Sequence, residues 1–166
     1  GGIAAWRVGR TAEECALERT VGTHGHPVVV LAVSRSGALV VSADVKGTWA
    51  QWDVATGKPQ ARLDLPEAGA PLAARFTGRD EVVWAAMERV VVHWPANDPR
   101  RGQRNPLGRP NGVAAFSASG AMHLFADPGG FILGVSDLEG KRELTPDPGH
   151  YAPVTGAAAC DGGLYT

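Results

Sequence analysis

The residues of this chain that could do chemistry are five histidines, two cysteines, a set of turn carboxylates and one run of arginines. His24, His26, His93, His123 and His150 offer no HExxH helix and no His-x-His pair placed on a strand, so the ligand spacing that a zinc site needs is missing. Structural or exposed histidines are expected instead, with no metal. No serine sits in G-x-S-x-G, and Ala55-Thr56-Gly57-Lys58-Pro59 is a turn rather than a phosphate loop. Asp44, Asp80, Glu81, Glu88 and Asp127 fall in turns, where local backbone hydrogen bonding accounts for them, and no catalytic pair stands out. Arg100, Arg101, Arg104 and Arg109 suit phosphate or an acidic partner, although a solvated excursion between strands is the plainer reading. No aromatic residue interleaves them, so a stacking platform for single strands is absent and nucleic acid is not expected. No cofactor is expected either.

Composition narrows the setting. A net charge of −1 supplies no global field for nucleic acid or an anionic membrane. Hydrophobic residues make up 44% of the chain, enough for a packed core, but no apolar run approaches the ~20 residues of a membrane span. Gly1–Arg7 has no basic leader and no long apolar core, and Cys15 and Cys160 have no metal spacing. These features lead us to expect a cytoplasmic protein with two buried, reduced thiols, and the Ala/Gly/Arg-rich composition suggests a bacterial one. A Cys15–Cys160 disulfide is the minority alternative.

The elements that must position these residues are short strands. The 22 glycines and 12 prolines fall mostly between apolar runs, as turns do. Trp6-Arg7, Trp52-Asp53, Trp94-Pro95 and Ser136-Asp137 recur at steps of 46, 42 and 42 residues, each after an apolar or alternating strand. First strands at 28–33, 72–76, 112–116 and 153–158 lead through small-residue turns to second strands at 38–43, 81–86, 121–126 and 164–166. More charged fourth strands follow at 14–21, 60–65, 102–107 and 141–145, as outer edges should. Thr11 with Glu14 fits a helix capping box, but the repeat phase favours an outer strand there. Trp49 and Trp84 are expected in the core.

Gly25-His26 with Trp52-Asp53, and the spacing between them, resemble one WD repeat; Gly149-His150 repeats the first half of that signature and Asp137 the second. The resemblance implies an all-β WD40-like β-propeller of four-stranded antiparallel blades. In that family a His, a second-strand Ser or Thr, a turn Asp and the Trp form a buried hydrogen-bonded network. Transferred here, it assigns the blade signature to His26, Trp52 and Asp53, with Trp6, Trp94, Asp137 and His150 in the other repeats. Ser42 or Asp44 is available on the second strand. Lys46, six residues before Trp52, occupies the turn-Asp position, so that Asp is expected to be lost. Asp53-Val54-Ala55-Thr56-Gly57-Lys58 is also similar to the tryptophan-docking motif of quinoprotein propellers, but the Trp that should follow is missing.

The phase divides the chain into a half blade at 1–21, blades at 25–65, 70–107 and 111–145, and a half blade at 150–166. A propeller of this type usually holds about seven blades. The two half blades are complementary, which leaves three expectations: part of a larger propeller, a half-propeller pairing with a copy, or a four-bladed ring closed by a shared terminal blade. The resemblance implies a non-catalytic protein-interaction scaffold. Candidate partner-binding residues on the face of the second-to-third and blade-to-blade loops are His24, Lys46, Glu88, Arg89, Arg104 and Arg109. The alternatives are an enzyme-class propeller, quinoprotein or lactonase-like, and a purely structural module of a larger protein.

Overall fold

The computed structural model describes residues 1–77, 79–107, 110–117, 122–126, 133–137, 141–143, 158–160 and 163–165. Alternating apolar residues and tight turns fold the chain into consecutive hairpins. A two-stranded ribbon comes first, β1 (Gly2–Arg7) with β2 (Ala16–Thr23). The first four-stranded sheet is β3 (Val28–Val33), β4 (Leu39–Asp44), β5 (Thr48–Asp53) and β6 (Pro59–Asp64). The second is β7 (Pro71–Thr77), β8 (Val82–Met87), β9 (Val90–Pro95) and β10 (Gln103–Pro106). The third is β11 (Val113–Phe116), β12 (Met122–Ala126), β13 (Leu133–Asp137) and β14 (Lys141–Glu143). A second ribbon pairs β15 (Ala158–Cys160) with β16 (Gly163–Tyr165). Among the described residues every pairing is antiparallel between neighbours in sequence, and the sheets do not close into a ring.

The sheets stack face on face, so their middle strands are buried on both sides and read as near-continuous apolar runs. Between the first and second sheets lie Val41, Trp49, Val83, Met87, Val92 and Trp94. Between the first ribbon and the first sheet lie Ile3, Val21, Val40, Ala50 and Trp52. Trp84, Ala86 and Val91 of the second sheet meet Phe116 of the third. The outer strands are wetter, and all four residues of β10 are exposed. On β3, Val29, Leu31 and Val33 share a face with Val40 and Trp52 but are 52, 54 and 56% exposed.

Two expectations change. Residues 12–14 form a 3-10 turn before β2 starts at Ala16, so local helical propensity and the repeat phase are both satisfied in succession. No capping box forms: the Glu14 carboxylate accepts instead from the Arg10 N–H at 2.7 Å. Cys15 is exposed rather than buried, because it sits in that surface turn. The Cys160 side chain lies outside the described residues.

Candidate functional site

A buried polar cluster lies on the first sheet. Trp52 Nε1–H donates to the Ser42 hydroxyl at 2.8 Å, and His24 Nε2 lies 2.7 Å from the same oxygen. His24 Nδ1 lies 3.3 Å from Asp44 Oδ2. The other Asp44 oxygen accepts the N–H groups of Lys46 and Thr48 at 2.9 and 3.2 Å, which closes the β4–β5 turn. A proton on Nδ1 of His24 satisfies the whole chain: indole to hydroxyl, hydroxyl to imidazole, imidazole to carboxylate. The His24 ring meets Trp52 edge-on, centroids 5.8 Å apart. Burial pushes the Asp44 carboxyl up, but its bonds to Lys46, Thr48 and His24 outweigh that and hold it below the usual range.

This cluster corrects three assignments. His24, not His26, is the network histidine; His26 is exposed. Asp44 is the turn carboxylate, so the network is not missing its Asp. Both lie two residues upstream of the residues expected, His26 from the Gly-His pair and Lys46 from the count back from Trp52, because Asp44 at the end of β4 and His24 just after β2 are the side chains that meet over Ser42. His24, buried to 8% exposure, is also removed from the partner-binding set. Gly22 completes the seat, since a Cβ there would lie 2.4 Å from the Trp52 ring.

Ser42, His24 and Asp44 have the atom order of a nucleophile relay, but Ser42 is 0% exposed and its oxygen already accepts the indole N–H. An open groove of about 260 Å³ reaches His24 and Trp52 without Ser42 in its lining. No carbonyl can approach that hydroxyl, so the arrangement builds structure rather than an acyl-transfer site.

The second sheet solves the same problem differently. Trp94 Nε1–H donates to Gln51 Oε1 of the first sheet at 2.9 Å. Gln51 Nε2 donates to the Ala96 carbonyl at 2.7 Å and to Gln60 Oε1 at 2.8 Å. A second tie joins the turns of these sheets. Asp80, at φ 66, accepts the N–H groups of Arg35 and Ser36 at 2.6 and 3.0 Å. The Ser36 bond leads in holding its carboxyl low. In the third sheet His123 stacks between Phe116 and Phe125, and burial pushes its pKa down to about 4.

The remaining signature residues divide. Trp94 is buried. Asp53 caps its turn, accepting the Thr56 hydroxyl at 2.8 Å and the Thr56 N–H at 2.7 Å. Trp6 is 60% exposed: Trp52 and Trp94 face the strands before them in the chain, and the described residues place nothing against that face of β1. Asp137 ends β13, its side chain outside the described residues; His150 and Arg109 also lie outside them. Trp49 and Trp84 are core residues, 1 and 4% exposed.

Backbone bonds between loops gather the other candidates on one face. Leu65 N–H donates to the Gly47 carbonyl, Arg89 N–H to Ala68, Glu88 N–H to Ala70 and Leu107 N–H to Arg89. Lys46 and Arg89 are exposed there, Glu88 is half-buried, and Arg104 reaches Glu67 at 3.6 Å. Among the described residues, no group of three or more His, Cys, Asp or Glu is placed to hold a metal.

No protein-family model and no curated protein matches the chain. Solved structures do. The β-propeller domain of Cps50 (Swd1) from Myceliophteria thermophila aligns with a TM-score of 0.66 at 19% identity, over 84% of this chain and 46% of that one. U3-55K aligns with a TM-score of 0.68 at 12% identity, over 83% and 44%. The fold is that of a WD40-type β-propeller. The chain spans less than half the length of these propellers. At such identities the likeness carries the fold alone, and the His24–Ser42–Asp44–Trp52 cluster supplies the detail. It is the buried network that the WD repeat resemblance implies, built on residues other than those the spacing selects.

Proposed function

We propose that the chain is part of a non-catalytic protein-interaction scaffold, its partner meeting the face that bears Lys46, Glu88, Arg89 and Arg104. The observation that carries this reading is the run of loop-to-loop backbone bonds that ties together the turns carrying Lys46, Glu88 and Arg89. Preorganised loops lose little entropy on binding. The polar groups of the network, by contrast, are turned inward on one another. The reading predicts that the tagged chain retains a protein partner, and that Lys46→Glu with Arg89→Glu abolishes retention. Stability should move by less than about 0.5 kcal/mol, since both side chains are exposed. Retention unchanged by the double variant would sink the assignment of this face.

The exposed row Val29, Leu31 and Val33 favours a second contact, in which further propeller strands cover β3, from a second copy or from a larger propeller. Sedimentation of the 17.3 kDa chain separates the two: twice that mass marks a copy, a monomer the larger propeller.

A further inference from the structure

The outer rims of the first two sheets carry charge differently. On β6, Arg62 lies 3.7 Å from Asp64, so that rim balances itself. On the second sheet, the 3-10 turn Pro99–Arg101 and β10 carry Arg100, Arg101 and Arg104, all exposed. Only Arg104 has a carboxylate in reach, Glu67; Arg100 and Arg101 make no ion pair among the described residues. Protecting the sheet edge does not require them. β10 is four residues long and ends in Pro106, which has no N–H to offer a foreign strand.

Beside these arginines an open groove of about 620 Å³ runs between the first and second sheets. Leu39, Ala96 and Pro99 give it an apolar wall, Gln60 and Asn97 line it with amides, and Arg100 stands at its side. Of its two carboxylates, Asp80 is already bonded to two backbone N–H groups. The other, Asp98, also lines the groove and makes no ion pair among the described residues.

We propose that this rim docks an acidic, extended peptide segment of a protein partner. Its carboxylates meet Arg100, Arg101 and Arg104, and small or apolar side chains between them lie in the groove against Leu39, Ala96 and Pro99. Guanidinium groups bind carboxylates in paired, charge-assisted hydrogen bonds. From Arg101 to Arg104 the backbone is extended, with Gly102 at φ −65 and ψ 140, a span of about 10 Å. An extended peptide with acidic residues roughly three positions apart matches that span. Nucleic acid fits less well, because Asp98 would repel a dense phosphate line and no aromatic side chain separates the arginines for base stacking. The inference rests on the scaffold reading only in taking the partner to be a protein. The two surfaces share Arg104, but Lys46 and Arg89 belong only to the first and Arg100 and Arg101 only to the rim, so variants at those two pairs separate them.

The test is fluorescence anisotropy with a labelled peptide of Glu-Ser-Val repeats, its Gln-Ser-Val counterpart and an oligodeoxythymidine of similar length. The Glu peptide should bind, more weakly as salt rises, and the Gln peptide should not. Arg100→Glu with Arg101→Glu should weaken binding about tenfold or more, while Arg62→Glu on the self-balanced rim leaves it unchanged. Far-UV circular dichroism checks folding, and if the reversal disturbs it, Arg100→Gln with Arg101→Gln repeats the measurement. Equal binding of the Gln peptide, indifference to the arginine variants, or tighter binding of the oligonucleotide overturns the proposal.

Discussion

The first and second sheets bury the same residue at the same place and satisfy it by different means. Trp52 finds its acceptor within its own sheet, on Ser42, which also holds His24. Trp94 stands opposite Val83 as Trp52 stands opposite Val40, so the position matching Ser42 is Ala85, which has no acceptor. The Trp94 N–H therefore crosses to Gln51 of the neighbouring sheet. A buried indole N–H must be paired; whether the partner is local or borrowed decides whether a sheet carries its own polar core or depends on the next. The first sheet supports itself and lends Gln51 to the second.

The comparison can be broken from either side. Ser42→Ala strips the partner from two buried rings at once and should cost about 4 kcal/mol in chemical denaturation, the largest effect here. A cost near that of an ordinary surface change would mean that the hydroxyl is not the hub. Gln51→Leu leaves the Trp94 N–H and the Ala96 carbonyl unpaired, and should cost about 3 kcal/mol. Adding Ala85→Ser to that variant should recover about 1 kcal/mol by giving Trp94 a local acceptor. If the double variant is simply the sum of its parts, the equivalence of Ala85 and Ser42 is wrong. The smallest effect is in acid. The Asp44 carboxyl is held low in the folded state, so its contribution is present above the unfolded value of 3.8 and is lost as pH falls through the lower folded value. Asp44→Asn should flatten that part of the stability profile, measured by denaturant titration at a series of pH values. A profile as steep as the parent's would point to other carboxylates.

The strands were legible because their signals are local. The run Val28–Val33, the turn at Ser34–Gly37 and the period carried by Trp6, Trp52 and Trp94 need only neighbouring residues to be read. The network was misplaced by two residues. A Gly-His pair or a count from Trp52 marks a place in the sequence, whereas the network is decided by which side chains meet, Asp44 at the end of β4 and His24 just after β2. A carboxylate ending a strand three residues before the turn glycine Gly47, with a histidine two residues before the Gly-His pair's own, was the signal to follow. The Gln51–Trp94 bond joins residues 43 apart on different sheets, and nothing near either residue announces it. Charge on β10 was visible as arginines, but its lack of balance appears only when β6 is seen to pair Arg62 with Asp64.

Asp80 bears on how the chain tolerates change in length. Residues 35–38, in the turn from β3 to β4, are exposed and mostly small, the kind of site where insertions are usually accepted. Here the carboxylate of a residue more than forty positions away grips two consecutive amides of that turn. An added residue would shift one amide out of reach and free the next hairpin from its neighbour. A loop that looks expendable from its exposure thus acts as a fixed-length spacer between repeats.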